Sequence, residues 1–470
     1  MPLLSIPSGN VASATAGAYE VANSCRFDDG SSSRMTKTPG SDGNLDNWTF
    51  SCWVKRGNIT TGTAQCIFSC DVDSSTNYGK LVFDTSDRIE FHNSTGGVVD
   101  KLITNRVFRD VAAWYHIVAV WDSDNGTEAQ RMRLYINGVE ESSFNTADYP
   151  TSGLNSAWNQ DSVHSIGDIN SGQYFDGYIA EAVFTDGQVY AASDFGEFDE
   201  DSPTIWKPKD VSGLTFGNNG FYLDFEDSGN LGDDESGNAD DLSETNIAAV
   251  DQATDTPTNN FATLNPLYKQ DHAFSEGNLE YTSTASDWDT GLSTIGVASG
   301  KWFVETKVTV IAGVTRSMFG LTDERNGNEC AEDKFITSFS NGDTVGYYGG
   351  SVTKNGSDAG GTWSDVGVNE IVGMYVDLDN GYVYFSVDGT MQNSGDPTSG
   401  ATGTGGISIT TGQTYLFGAT AYGGGASQTN FGNPVFSITS SNADPNGYGS
   451  FEYGTQNYYA LCTKNLAEFG

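Results

Sequence analysis

The sequence predicts an all-β protein, built as two antiparallel β-sandwiches in tandem and joined by an acidic linker. Three observations carry this expectation. A strand–turn–strand unit occurs twice, as Trp114-Tyr-His-Ile-Val-Ala-Val-Trp-Asp122 with Arg133-Leu-Tyr-Ile-Asn137-Gly138, and as Ile371-Val-Gly-Met-Tyr-Val-Asp377 with Gly381-Tyr-Val-Tyr-Phe-Ser-Val-Asp388-Gly389. In each copy a β-branched and aromatic run enters an Asp-rich turn, and a second alternating run ends on Asn-Gly or Asp-Gly, dipeptides that supply the positive φ of tight hairpins. The two copies lie roughly 250 residues apart, too far for a solenoid, so they read as one hairpin used in two domains. Composition is the third observation. Among 470 residues, 57 Gly with abundant Ser, Thr, Asn and Asp suit short strands and many turns, while 26 Phe, 22 Tyr and 9 Trp suffice for sandwich cores at a hydrophobic fraction of only 37%.

In chain order, residues 1–24 are small and polar, and read either as a free terminus or as an extended segment that orders against a partner by strand addition. From Cys25 to Phe198 strand signals are dense: Trp48-Thr-Phe-Ser-Cys-Trp-Val-Lys55, Leu81-Val-Phe-Asp84, Arg88-Ile-Glu-Phe-His92, the first hairpin, and Tyr174 to Phe184. Residues 199–260 hold 15 acidic residues against Lys207 and Lys209 alone, and read as solvated loop and linker apart from the strand-like Phe221-Tyr-Leu-Asp-Phe-Glu226. A second strand series begins near Phe261, with Lys301 to Val310, Ser317 to Thr322, Gly346 to Gly350, the second hairpin, Tyr415 to Thr420 and Gln428 to Gly432. The tail from Asn442 to Phe469 keeps Phe451, Tyr453, Tyr458 and Tyr459, and is expected to fold back on the second sandwich.

The phrases Arg26-Phe-Asp-Asp-Gly30, Phe50-Ser-Cys-Trp-Val54, Trp114-Tyr-His-Ile-Val118, Leu134-Tyr-Ile-Asn-Gly138 and Phe175-Asp-Gly-Tyr-Ile-Ala-Glu181 resemble the laminin-G-like, concanavalin A-type jelly-roll sandwich. That family's opening strand, Phe-Asp followed by a Ser-Gly-Asn turn, is missing at the front. A close counterpart occurs at 221–226 with Ser236-Gly-Asn238, so this segment is expected to supply the missing strand from the C-terminal side. Gly300-Lys-Trp-Phe-Val-Glu305, Val376-Asp-Leu-Asp-Asn-Gly381 with Val383-Tyr-Phe-Ser386, and Thr429-Asn-Phe-Gly432 resemble the SPRY domain over roughly 260–435. The expected organisation is a segment at 1–24, a laminin-G-like sandwich at 25–230, an acidic linker at 231–260, and a SPRY-like sandwich with its tail at 261–470.

A formal charge of −40 repels phosphate, so nucleic acid and anionic membranes are not expected partners. No apolar window is long enough to span a bilayer, and the first residues lack the basic and apolar regions of a secretory signal. The six cysteines (25, 52, 66, 70, 330 and 462) are not spaced as a disulfide framework or a zinc site and read as core residues. No paired-carboxylate, nucleophile-elbow, Cys/His or phosphate-loop pattern occurs, and His116 reads as a satisfied strand residue, so the chain is expected not to be an enzyme. The laminin-G resemblance implies Ca2+ at a sandwich rim. Asp71, Asp73 and Asn77 are the candidate ligands, and an Asx-turn within each Asp-rich segment is the competing reading. Candidate ligand contacts on loops are Tyr149, Trp158 and Asn159 in the first domain, and Tyr347, Tyr348, Asn355 and Trp363 in the second, with core packing the alternative for each.

The pairing of these two sandwiches in an acidic chain resembles phage virion proteins. The resemblance implies a structural and adhesive component at the virion surface, a tail fibre or capsid decoration. It would attach to other virion proteins through residues 1–24 and bind host-surface glycan or protein through rim loops. The alternatives are a purely structural decoration protein and a polysaccharide-degrading tailspike. A homo-oligomer is expected; a trimer would have to form without a heptad stretch.

Overall fold

Alternating apolar and polar runs separated by Gly, Asn and Asp turns fold into short strands throughout. A computed structural model describes residues 19–59, 62–73, 75–268, 272–284, 288–312, 317–331 and 336–470. Of these, 19–258 with 275–277 form one unit, and 259–274 with 278–470 the other.

The strands of the first unit are β1 (Ser24–Phe27), β2 (Arg34–Lys37), β3 (Asn47–Arg56), β4 (Gln65–Asp71), β5 (Tyr78–Phe83), β6 (Ile89–Thr95), β7 (Val98–Thr104), β8 (Trp114–Asp122), β9 (Met132–Ile136), β10 (Val139–Glu140), β11 (Phe144–Asp148), β12 (Val163–Ile166), β13 (Gly177–Asp186), β14 (Gly196–Phe198), β15 (Trp206–Pro208), β16 (Phe221–Leu223), β17 (Ser243–Thr245) and β18 (Gln252–Ala253). One sheet runs β10-β9-β8-β3-β13-β1-β18, with β16 joined to β13, and the other runs β11-β7-β6-β5-β4-β12-β2-β17. Because side chains alternate along a strand, Trp48, Phe50, Cys52 and Val54 of β3 enter the core between the sheets with Phe68, Leu81, Phe91, Ile117 and Trp121. The expected hairpin turn forms in both copies: Asn137 and Gly138 have φ of 49° and 78°, and Asp388 and Gly389 have φ of 46° and 73°.

The opposite face of β3 is also covered. Thr49, Ser51, Trp53 and Lys55 are buried: Phe195, Val211, Phe216 and Tyr222 pack over Val118, Val120 and Val183 of the same sheet, Val21 packs on Trp53, and Asp255 pairs with Lys55. His116 sits under this cover: the Trp206 Nε1–H donates to its Nδ1 at 3.0 Å, and its Nε2 lies 2.9 Å from the Ser51 Oγ. Burial pushes the imidazole down to about 3, so it is a neutral structural group.

The acidic stretch is therefore not the linker expected at 231–260. Phe221–Leu223 pairs with β13 through Leu223↔Ala182, as a strand supplied from the C-terminal side. β17 pairs with β2 and β18 with β1, while Leu231 and Leu242 enter the core. A few anchors hold the segment down, Asp234 and Asp255 among them, while Glu235, Asp241 and Glu244 are exposed. Residues 19–24 likewise pack on this sandwich, with Val21 buried against Trp53 and Ala180; residues 1–18 of the expected attachment segment lie outside the described residues.

Tyr19 and Tyr222 both donate hydroxyl hydrogen bonds to the Glu181 Oε2, at 3.0 and 2.9 Å. Burial is the main reason that the Glu181 carboxyl is pushed up to about 8. A raised acid stabilises the fold fully below its ordinary value, and that contribution is lost as the pH rises through about 8. Thermal melts of Glu181→Gln are therefore expected to lose less stability than wild type between pH 5 and pH 9; parallel profiles would refute a buried neutral carboxyl.

In the second unit one sheet contains, in spatial order, His272–Ser275, Glu280–Ser283, Ala426–Asn430, Lys301–Val310, Ile371–Asp377, Tyr382–Val387 and Thr390–Met391, with Ile407–Ser408 also on Tyr382–Val387. The other contains Trp288–Val297, Tyr415–Tyr422, Met318–Asp323, Thr344–Tyr348, Ser351–Lys354 and Ser357–Asp358. Trp302, Val304, Leu321, Met374, Phe385 and Phe417 fill the core between them. The tail folds back as expected: Phe451 and Tyr458 cover Phe303 and Tyr375, and Glu305 accepts the Glu452 and Tyr453 N–H groups at 3.0 and 2.8 Å.

Candidate functional site

Three adjacent strands of the first unit, β4, β12 and β2, present their outward positions as a polar floor. Met35, Phe68, Cys70 and Ile166 point into the core, which leaves Arg34, Thr36, Ser69, Asp71, Val163 and Ser165 on the opposite face. Register aligns them, since Ser165 stands opposite both Thr36 and Ser69, and Val163 opposite Asp71. A three-strand row of hydroxyls results, at strand spacings of about 4.8 Å. Asp168, Asn170 and Ser171 wall this floor and complete a groove of about 330 Å3.

The wall is held in an unusual conformation. Asn170, Ser171 and Gln173 have φ of 57°, 55° and 51°, left-handed geometry at three non-glycine residues within four positions. Such backbone persists only where its surroundings over-determine it. Here the Ser69 hydroxyl donates to the Asp168 carbonyl at 2.7 Å and the Ser171 N–H to the Asp168 carboxylate at 2.9 Å. The Ser165 hydroxyl also donates to that carboxylate. The Arg34 guanidinium lies 4.0 Å from it and stays a quarter exposed. The groove thus offers a cationic fork, two carboxylates, an amide and a hydroxyl, all directional hydrogen-bonding groups on a fixed frame.

The residues expected from sequence distribute differently. Asp71 lines the groove. Asp73 accepts the N–H groups of Ser75, Thr76 and Asn77 at 3.1, 2.7 and 2.8 Å, together with the Thr76 hydroxyl and the Asn77 amide. These bonds hold its carboxyl below the usual range and close an Asx-turn that joins Asp73 to Asn77, while Asp71 lines the groove. The second unit's Asp377 behaves similarly, accepting the Asn380 N–H at 3.0 Å.

Trp158 and Asn159 are interior, with exposures of 1% and 0%. The Asn159 side chain donates to the Asn44 carbonyl and Asp186 and accepts from Asn219, at 2.9, 2.6 and 3.0 Å, so it brackets three loops from the interior. Tyr149 is half-buried against the core. Tyr347 is buried and donates to the Ser364 carbonyl at 2.6 Å, stacked edge-on against Trp363 and Phe385. Trp363 is half-buried and tied to the Gly360 carbonyl, Tyr348 half-buried against Trp288, and Asn355 closes a turn onto Thr344. Of these four, Tyr347 and Trp363 are in ring contact with each other. Sequence reasoning missed Arg34, Thr36, Ser69, Ser165 and Asp168, which only strand pairing brings together.

A family model described as the concanavalin A-like lectin/glucanases superfamily matches residues 29–192, a span that contains every groove residue. No curated protein matches the chain. Among solved structures, the human HERC1 SPRY domain is similar at 14% identity over 35% of this chain and 96% of that one, TM-score 0.27. A heptameric SAP-like pentraxin from Limulus polyphemus matches at 14% over 36% and 77%, TM-score 0.27. Domains LG4-5 of the mouse laminin α1 chain match at 9% over 90% and 92%, TM-score 0.30.

Proposed function

We propose that this chain is a non-enzymatic adhesion component of a phage particle, displayed at the virion surface as a tail fibre or capsid decoration, and that it binds a host-surface glycan in the β2–β12–β4 groove. The observation that carries the reading is the polar groove itself, walled by backbone locked in left-handed geometry over a concanavalin A-like sheet. Hydroxyl, amide, carboxylate and guanidinium groups match the donors and acceptors of a polyhydroxylated chain. Single-groove affinity would be modest, and several copies on one particle, in a homo-oligomer attached to other virion proteins, would raise it by avidity. The strongly acidic surface supports solubility at high local copy number.

The test is binding of the full chain to an array of bacterial surface polysaccharides. Arg34→Ala and Asn170→Ala are each expected to weaken the selected glycan by roughly tenfold, the scale of one charge-assisted or neutral hydrogen bond lost. No glycan bound, with binding to host surface protein in its place, would reject the groove reading. New reducing ends released from the bound polysaccharide would replace adhesion with hydrolysis. Labelling intact particles with antibody to the chain tests the virion assignment separately.

A further inference from the structure

The register of β1, β13 and β3 brings the adjacent Asp28 and Asp29 beside Asp176, which is far from them in sequence. Gly177 pairs with Phe27 on one side and with Arg56 on the other. One residue beyond that rung, at the same end of the sheet, stand Asp28, Asp176 and Gly57, and the Gly57 N–H continues the ladder to the Asp176 carbonyl at 2.9 Å. Asp29 follows Asp28, and one carboxylate oxygen from each of Asp28, Asp29 and Asp176 falls within 4.8 Å of the others.

Asp176 is the telling member. It is fully buried, and neither carboxylate oxygen is met by a well-formed hydrogen bond; burial and then the neighbouring carboxylates hold its carboxyl well above the usual range, with only the Asn58 backbone amide acting the other way. Its Oδ1 occupies the place of a missing side chain, since a Cβ on Gly57 would lie 1.6 Å from it. Asp28 accepts the Ser31 N–H at 2.6 Å on one oxygen and the Glu276 N–H at a long 3.4 Å on the other, and among the described residues none of the three forms an ion pair. Three adjacent acids without a counter-charge repel one another, and burial adds to the cost. The β1, β13 and β3 ladder already closes at the Phe27, Gly177 and Arg56 rung without these side chains.

We propose that Asp28, Asp29 and Asp176 form a divalent-cation site suited to Ca2+. Hard carboxylate oxygens are its preferred ligands, and two oxygens each about 2.4 Å from one ion are at most about 4.8 Å apart. Mg2+ retains its waters and is seldom caged by protein carboxylates alone. The ion would tie the first strand of the sandwich to the end of β13, a structural role independent of what the β2–β12–β4 groove binds.

The full chain, stripped with chelator, is titrated with CaCl2 by calorimetry and in parallel followed by thermal melting. One saturable site and a rise in melting temperature are expected. Asp176→Asn and Asp29→Asn are each expected to weaken Ca2+ by roughly tenfold or more, as loss of a ligand should, while Asp73→Asn leaves it unchanged. Without Ca2+, Asp176→Asn is expected to melt no lower than wild type, which separates a lost ligand from a lost fold. No Ca2+-dependent heat or melting shift in the wild-type chain overturns the proposal, as does an undiminished response in both variants. An equal response to MgCl2 overturns the Ca2+ assignment.

Discussion

Asp255→Asn is expected to remove about 3–5 kcal/mol from the stability of the first sandwich, the cost of stranding a buried charge. The Lys55 ammonium lies 2.7 Å from the Asp255 carboxylate, with side-chain exposures of 1% and 0%. The other carboxylate oxygen accepts the Trp114 indole N–H at 3.0 Å, and the Ser24 hydroxyl donates to the Asp255 carbonyl at 2.6 Å. Burial pulls the Lys55 ammonium down and Asp255 pushes it back up. Neutralising the acid leaves the cation on the covered face of β3 without its counter-charge. Chemical denaturation of the full chain, following the transition of the first unit, reads the loss. A double replacement, Lys55→Met with Asp255→Leu, should recover much of it, because an apolar pair of similar volume avoids desolvating two charges. A change under about 1 kcal/mol for Asp255→Asn would mean that the 231–258 segment merely lies over the sandwich.

That segment shows where the sequence could and could not be read. Strands such as Trp48–Lys55 and Lys301–Val310 were legible because alternation and β-branched or aromatic content are local signals. Residues 231–258 were not, since their anchors (Leu231, Leu242, Ala253 and Asp255) are single residues among carboxylates and their pairing partners lie some 200 positions away. The absent opening strand was the one clue, and it did locate Phe221–Leu223. The groove was hidden for a related reason: Thr36, Ser69 and Ser165 are unremarkable outward residues until register puts them in one row. The phrases Phe27-Asp28 and Phe175-Asp176 were read for their likeness to a family, yet their convergence depends on β1–β13 pairing. Asp73 was ambiguous in kind, because an Asx-turn and a Ca2+ loop use the same residues, and only hydrogen-bond directions separate them.

Trp158→Ala is expected to cost about 3–5 kcal/mol, the range for emptying a buried aromatic site. In sequence this residue sits in a polar, loop-like stretch where an exposed indole would suggest a ligand platform. In the structure the ring lies between the sheets, 5.3 Å from Trp48, 5.0 Å from Phe68 and 6.5 Å from Phe91. Its Nε1–H donates to the His92 carbonyl at 3.3 Å, so the one polar atom is satisfied in the interior. Contact is close enough that a Cβ at Gly79 would stand 2.1 Å from that nitrogen, which means the indole rests on bare backbone of β5. Truncation therefore opens a cavity that a rigid sheet pair cannot collapse to fill, and a melting-temperature fall of roughly 10 °C is expected for a unit of this size. Near-UV circular dichroism should lose intensity with it, since Trp48 and Trp121 stack at 6.4 Å in the same cluster. Glycan affinity of the fraction still folded should stay within about twofold of wild type, whereas Arg34→Ala is expected to show the opposite split of near-normal melting and weak binding. A Trp158→Ala chain that melts normally but fails to bind would return this residue to the ligand surface and remove the physical distinction between core and groove on which the functional proposal stands.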